Sequence, residues 1–92
     1  MAKPYTDLFK VPLSKQDVAT AVRVILDKNS AGPSLLQRRL KIGYGKAASI
    51  IDLLEDAGVV SLTNGSKPRV VILKTEATAI NAALRQLKKG MR

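Results

Sequence analysis

The stretch "SLLQRRLKIGYGKAASIIDLLEDAGVV", Ser34 to Val60, decides the fold. Leu35, Leu36, Leu40 and Ile42 fall on one side of a short helix, roughly residues 35–41. Gln37, Arg38, Arg39 and Lys41 fall on the other. Ser34 followed by Gln37 has the spacing of a capping box, which marks a helix start. Gly43 to Gly45 reads as a tight turn, because glycine takes left-handed backbone angles at little cost. A further helix then runs from about Tyr44 or Gly45 to Ala57. Its inner face is Ala47, Ile50, Ile51 and Leu54, and its outer face is Gly45, Lys46, Ser49, Asp52 and Asp56. Gly58 stands where a helix stop is expected.

Upstream, Ser14 is a good N-cap with Asp17 three residues on. Val18, Ala21, Val22, Ile25 and Leu26 follow at helical spacing, and Asn29 can close that helix in a left-handed turn. Residues 1–12 read as an arm: Pro4 and Pro12 oppose a helix, while Tyr5, Leu8, Phe9 and Val11 could dock on the body. Downstream, Val59–Thr63 and Arg69–Leu73 are β-branched runs on either side of Asn64-Gly65-Ser66-Lys67-Pro68, the pattern of a hairpin with a loop above minimal length. Thr75 can cap a last helix, about 76–89, with Ala77, Ile80, Leu84 and Leu87 as its apolar stripe.

The order is helix, helix, turn, helix, hairpin, helix. This predicts an α+β fold: a small winged helix-turn-helix domain with an added C-terminal helix. Two strands alone make no stable sheet, so the hairpin must pack on the helices, with room for a short third strand before the second helix. The domain reading is an arm at 1–12, a winged-helix domain at 13–74, and a C-terminal helix with a basic tail at 75–92.

The chain has 92 residues, enough for one small domain. Sixteen Lys and Arg against seven Asp and Glu give a net charge of +9, which favours a polyanion partner. The cations come in blocks without acids: Arg38, Arg39, Lys41 and Lys46; then Lys67, Arg69 and Lys74; then Arg85, Lys88, Lys89 and Arg92. No Cys or His is present, so thiol and imidazole chemistry are absent, and no nucleophile–base pair is recognisable. The expectation is therefore a protein that is not an enzyme and uses no cofactor or metal. Asp52, Glu55 and Asp56 read as a solvated helix face rather than a metal cluster. No apolar run reaches the roughly 20 residues of a membrane span. A cytoplasmic, nucleoid-associated protein is the expectation.

A helix with small or polar outward residues fits a major groove about 12 Å wide. In helix-turn-helix proteins the leading end of the second helix meets base edges while the first helix crosses the backbone. Each feature also has a plain reading: the two arginines as a solvated face, the glycines as turn formers, the hairpin as structure. Their coincidence in one order favours double-stranded DNA.

The same residues resemble the gamma domain of FtsK/SpoIIIE DNA translocases, a winged helix at the end of a DNA pump. "LLQRRLKIGY" and "GSKPR" stand almost verbatim, and the likeness covers about residues 13–73. The resemblance implies recognition of G-rich, orientation-marking sequences and, in some members, contact with Xer recombinase. It implies backbone contacts at Arg38, Arg39 and Lys41, with Lys67 and Arg69 on the wing. Gly45 stands where the family commonly has Asn, Lys46 replaces Arg, Ser49 stands where Arg is common, and Asp52 keeps an acid. Since the positions of Gly45, Ser49 and Asp52 read bases in the family, the resemblance implies DNA binding with an altered or weaker preference. With Gln37 and Tyr44 from the near-verbatim motif, the candidate DNA-binding set is Gln37, Arg38, Arg39, Lys41, Tyr44, Gly45, Lys46, Ser49, Asp52, Lys67 and Arg69. No nucleotide-binding Walker motif is present, so the chain is no motor by itself; a regulator or DNA-segregation accessory is expected, either as a free-standing protein or as a domain cut from a longer one. The alternative is a protein-interaction module docking on a recombinase or translocase, and the C-terminal helix offers a surface for a homodimer.

Overall fold

The structure, a computed structural model, describes residues 13–62 and 70–90. The expected arm at 1–12, the hairpin loop with Lys67, Pro68 and Arg69, and the last two residues lie outside the described residues. Four helices follow one another: α1 (Lys15–Lys28), α2 (Pro33–Leu40), α3 (Tyr44–Asp56) and α4 (Glu76–Gly90).

The start of α1 is fixed by Ser14, whose Oγ accepts a hydrogen bond from the Asp17 amide at 3.0 Å. Its end is fixed by Asn29, which takes φ 50° and donates to the carbonyls of Ile25 and Leu26. The start of α2 departs from the sequence expectation. Ser34 lies inside the helix, Pro33 occupies its first turn, and the cap is Gly32 without a side-chain hydrogen bond. A proline at that position needs no amide partner and has φ already set, so it displaces the start upstream of the Ser34–Gln37 box. At its other end, Gly58 at φ 80° closes α3: its amide donates to Glu55, and the Val59 amide to Leu54.

The hairpin expectation is only partly met. Among the described residues no continuous strand forms, and residues 59–62 and 70–73 meet at one antiparallel bridge, Val60 to Val71. Ser61 donates to the Val70 carbonyl and Ile72 to the Val59 carbonyl, both at 2.8 Å. The Val70 amide, however, donates to Ser61 Oγ at 2.9 Å instead of continuing the ladder. On the other side, the Val59 carbonyl is shared by the amides of Ile72 and Leu73, as in a β-bulge. The pairing is thus interrupted on both sides of the bridge. Where a short third strand seemed available, only Ala31 takes a bridge position.

One apolar core joins all the elements. Val18, Ala21, Val22 and Ile25 come from α1, Leu36 from α2, and Ala47, Ile50, Ile51, Leu53 and Leu54 from α3. Val59, Val60 and Val71 seal it beneath the bridge, and no polar or charged side chain is buried among the described residues. α4 closes it with Ala79, Ala83 and Leu87. That stripe is rotated from the expected one: Ala77 is exposed, and Ile80 and Leu84 are half-buried. Alanines on the contact line let α4 lie close against α1, and that close approach outweighs the larger side chains flanking the line.

Candidate nucleic-acid interface

α2, the turn at Lys41–Gly43 and α3 form the helix-turn-helix pair. α2 buries Leu36 and half-buries Leu35 and Leu40, which leaves Arg38 and Arg39 exposed in its last turn. Part of that placement is explained by the helix itself, because cations near the C-terminal carbonyls offset the helix dipole.

The turn is made differently from the sequence expectation. Lys41, not a glycine, carries the left-handed conformation, at φ 58°. Gly43 is extended (φ −75°, ψ 168°) and caps α3, and Gly45 lies inside the helix. A left-handed backbone costs a residue with a Cβ about 1–2 kcal/mol. The sequence accepts that cost at an exposed lysine one residue past Leu40, while glycine stands two residues away.

The outward side of α3 also differs from the expected one. Gly45 is buried and is corrected from the outer face to the inner one. The open edge is Tyr44, 59% exposed, with Ala48, Ser49, Asp52, Glu55 and Asp56 behind it. The helix is therefore polarised. Its leading half carries a phenol, a lysine and a serine, and its trailing half carries three acids, none of them without a partner. Only the leading half suits a polyanion. Its cap makes no side-chain hydrogen bond and its own first turn has no acid, which leaves its leading amides without a side-chain acceptor from the cap residue.

Two of the candidate cations are held by α1. Lys46 Nζ lies 2.8 Å from Asp17 Oδ2, with the two side chains only 24% and 33% exposed. This pair ties the start of α3 to the first turn of α1. Arg39 reaches Asp27 at 4.0 Å, a looser and more exposed contact. Arg38 and Lys41 form no ion pair among the described residues. Gln37 and Ser49 are half-buried, and Asp52 lies on the open edge of α3. Lys67 and Arg69 lie outside the described residues. Sequence reasoning missed both α1 carboxylates, since Asp17 and Asp27 meet these cations only through the packing of α1 against α2 and α3.

No helix among the described residues is long and apolar enough to cross a membrane.

Comparison with known proteins agrees with this frame. The family described as the Ftsk gamma domain matches residues 15–74, which takes in α1 to α3 and both hairpin flanks and stops before α4. The chain is 55% identical over 56 residues to the DNA translocase FtsK of Caldanaerobacter subterraneus subsp. tengcongensis, covering 61% of this chain and 8% of the relative. It is 49% identical over 59 residues to the DNA translocase FtsK of Lactiplantibacillus plantarum, covering 64% of this chain and 7% of the relative. It is 46% identical over 61 residues to the DNA translocase SftA of Bacillus subtilis, covering 66% and 6%. The chain thus spans less than a tenth of the length of these relatives. With a match over well more than half of its residues, the chain belongs to the FtsK gamma domain family.

Proposed function

We propose that this chain binds double-stranded DNA without catalysing a reaction, with the leading half of α3 in the major groove and the end of α2 across the phosphate backbone. The observation that carries this reading is the end of α2: Arg38 and Lys41 exposed and without ion pairs among the described residues. The left-handed angle of Lys41 is the C-cap that ends α2, as Asn29 ends α1, so it is the two exposed cations at that cap that support the reading. The net charge of +9 and the relatives' description as DNA translocases support the same partner.

The frame favours gripping phosphates over reading bases. Gly45 has no side chain and is buried, Ser49 is short and half-buried, and Lys46 is engaged by Asp17. A bidentate contact to a base contributes about 1–3 kcal/mol of discrimination, and none of these residues offers one. We therefore infer a weaker sequence preference than an arginine at position 49 would give. The bridged hairpin is read as a wing, with Lys67 and Arg69 on a neighbouring stretch of backbone and residues 13–74 as the DNA-binding unit. The biological role this fits best is an accessory to DNA segregation, acting at the nucleoid.

The test is a titration of a mixed-sequence duplex at 50 and 200 mM salt. Each neutralised phosphate adds about 0.9 to the salt slope, so the four contacts at Arg38, Lys41, Lys67 and Arg69 predict a loss of about 150-fold between the two conditions. Replacing Arg38 and Lys41 together by Ala should flatten the slope by nearly two. A flat response in the unaltered protein would overturn the reading.

A second reading has its own observation. Leu62, Val70 and Ile72 on the hairpin flanks are 74%, 64% and 54% exposed, and Val70 and Ile72, two residues apart, share a face suited to a protein partner such as a recombinase or motor. Capture of such a partner that survives loss of Arg38 and Lys41 but not Leu62→Ser with Ile72→Ser would favour it.

A further inference from the structure

We infer that the end of α4 is a second phosphate-contacting surface, one that the family match, ending at residue 74, does not contain. The inference rests on the reading above that duplex DNA is the partner. Arg85, Lys88 and Lys89 stand at i, i+3 and i+4, so their side chains share one side of the helix, and all three are exposed. They are also the side chains opposite the buried line of Ala79, Ala83 and Leu87. That line anchors the helix in the core, so the cations project from a fixed rod rather than from a loose tail.

Nothing within α4 neutralises them. Its one acid, Glu76, is at the other end and is taken by Arg23 on α1 at 3.2 Å. The positions one turn before the cluster are Asn81, Leu84 and Arg85 itself, none of them acidic. Lys88 and Lys89 lie in the last turn, where the helix dipole favours them, but Arg85 lies a turn earlier and repels both at i+3 and i+4. The arrangement is expected where an external polyanion supplies the missing charge. An anionic membrane fits less well. An interfacial helix needs an apolar outer face, whereas the exposed residues here are Glu76, Ala77, Thr78, Asn81 and the cations, with every large apolar side chain turned wholly or partly to the core. A rod of phosphates needs only fixed positive charge, which this face supplies.

The test compares the whole chain with a variant carrying Arg85→Gln, Lys88→Gln and Lys89→Gln, changes that keep helix propensity. The probe is a mixed-sequence 24-base-pair duplex, followed by anisotropy across a salt series, with circular dichroism to verify equal helix content. The expected result is binding at least about tenfold weaker at 50 mM salt, and a salt slope shallower by about two to three. A second variant, Arg85→Lys alone, should bind like the unaltered chain, since charge and not shape is required. Unchanged affinity and slope in the triple variant, while Arg38→Ala with Lys41→Ala weakens binding, would overturn this inference and leave the proposed function standing. Failure of the unaltered chain to bind would overturn both. Loss of binding to phosphatidylserine vesicles but not to the duplex would overturn it in favour of a membrane.

Discussion

At the scale of single residues, Lys41 separates what folding asks from what binding asks. Glycine would relieve the left-handed strain at that position and lose a cation in the same step. Lys41→Gly is expected to raise stability by about 0.5–1 kcal/mol in chemical denaturation while weakening duplex binding. If both quantities fell together, the lysine would be serving the fold. Asp17 offers the converse. Its carboxylate holds Lys46 at 2.8 Å, so Asp17→Asn should cost up to about 1 kcal/mol of stability and tighten duplex binding by freeing the ammonium. Little of this was legible in the sequence. The run of cations from Arg38 to Lys46 was, because it is local. The left-handed angle was not legible, since glycine is the usual residue there and Gly43 stands two positions on, and the two carboxylates from α1 were invisible because only tertiary packing brings them near.

At the scale of elements, helix starts show where local signals compete. Ser14 and Ser34 both look like caps in the sequence, yet only Ser14 accepts a hydrogen bond from a first-turn amide. Ser14→Ala should therefore cost about 1 kcal/mol, and Ser34→Ala should change thermal stability by less than about 0.5 kcal/mol. Equal costs would mean that the Ser34–Gln37 box forms after all. The inner face of α3 was legible, since Ala47, Ile50, Ile51 and Leu54 are buried as their spacing requires. Its outer face was not, because Gly45 lies inward while Tyr44 stands exposed at the leading end. The β-branched runs correctly marked two antiparallel flanks. They could not foretell that Ser61 Oγ would take the Val70 amide and break the ladder.

At the scale of the whole molecule, α4 completes a core that the three-helix unit leaves open. Leu87, Ala79 and Ala83 cover α1 and α3, and Arg23 with Glu76 adds an exposed tie. Ending the chain at Lys74 is expected to cost about 3 kcal/mol or more, a large share of a small domain's stability. The measurement is thermal unfolding, and a melting temperature unchanged by the truncation would show that α4 is an appendage. The order of helices was readable because each has its own caps and period. The way α4 seats was not, because two apolar lines on its surface differ by one helical step and only the partner surface chooses between them.

The end of α2 and the leading half of α3 are the surface proposed to hold a duplex. Amide chemical shifts, followed while a short mixed-sequence duplex is added at low salt, report on that surface most directly. The prediction is a contiguous set of perturbed amides within Gln37–Lys41 and Tyr44–Ser49, lost when Arg38 and Lys41 are both replaced by Ala. Saturating shifts elsewhere in the molecule, with those two segments unmoved, would contradict it.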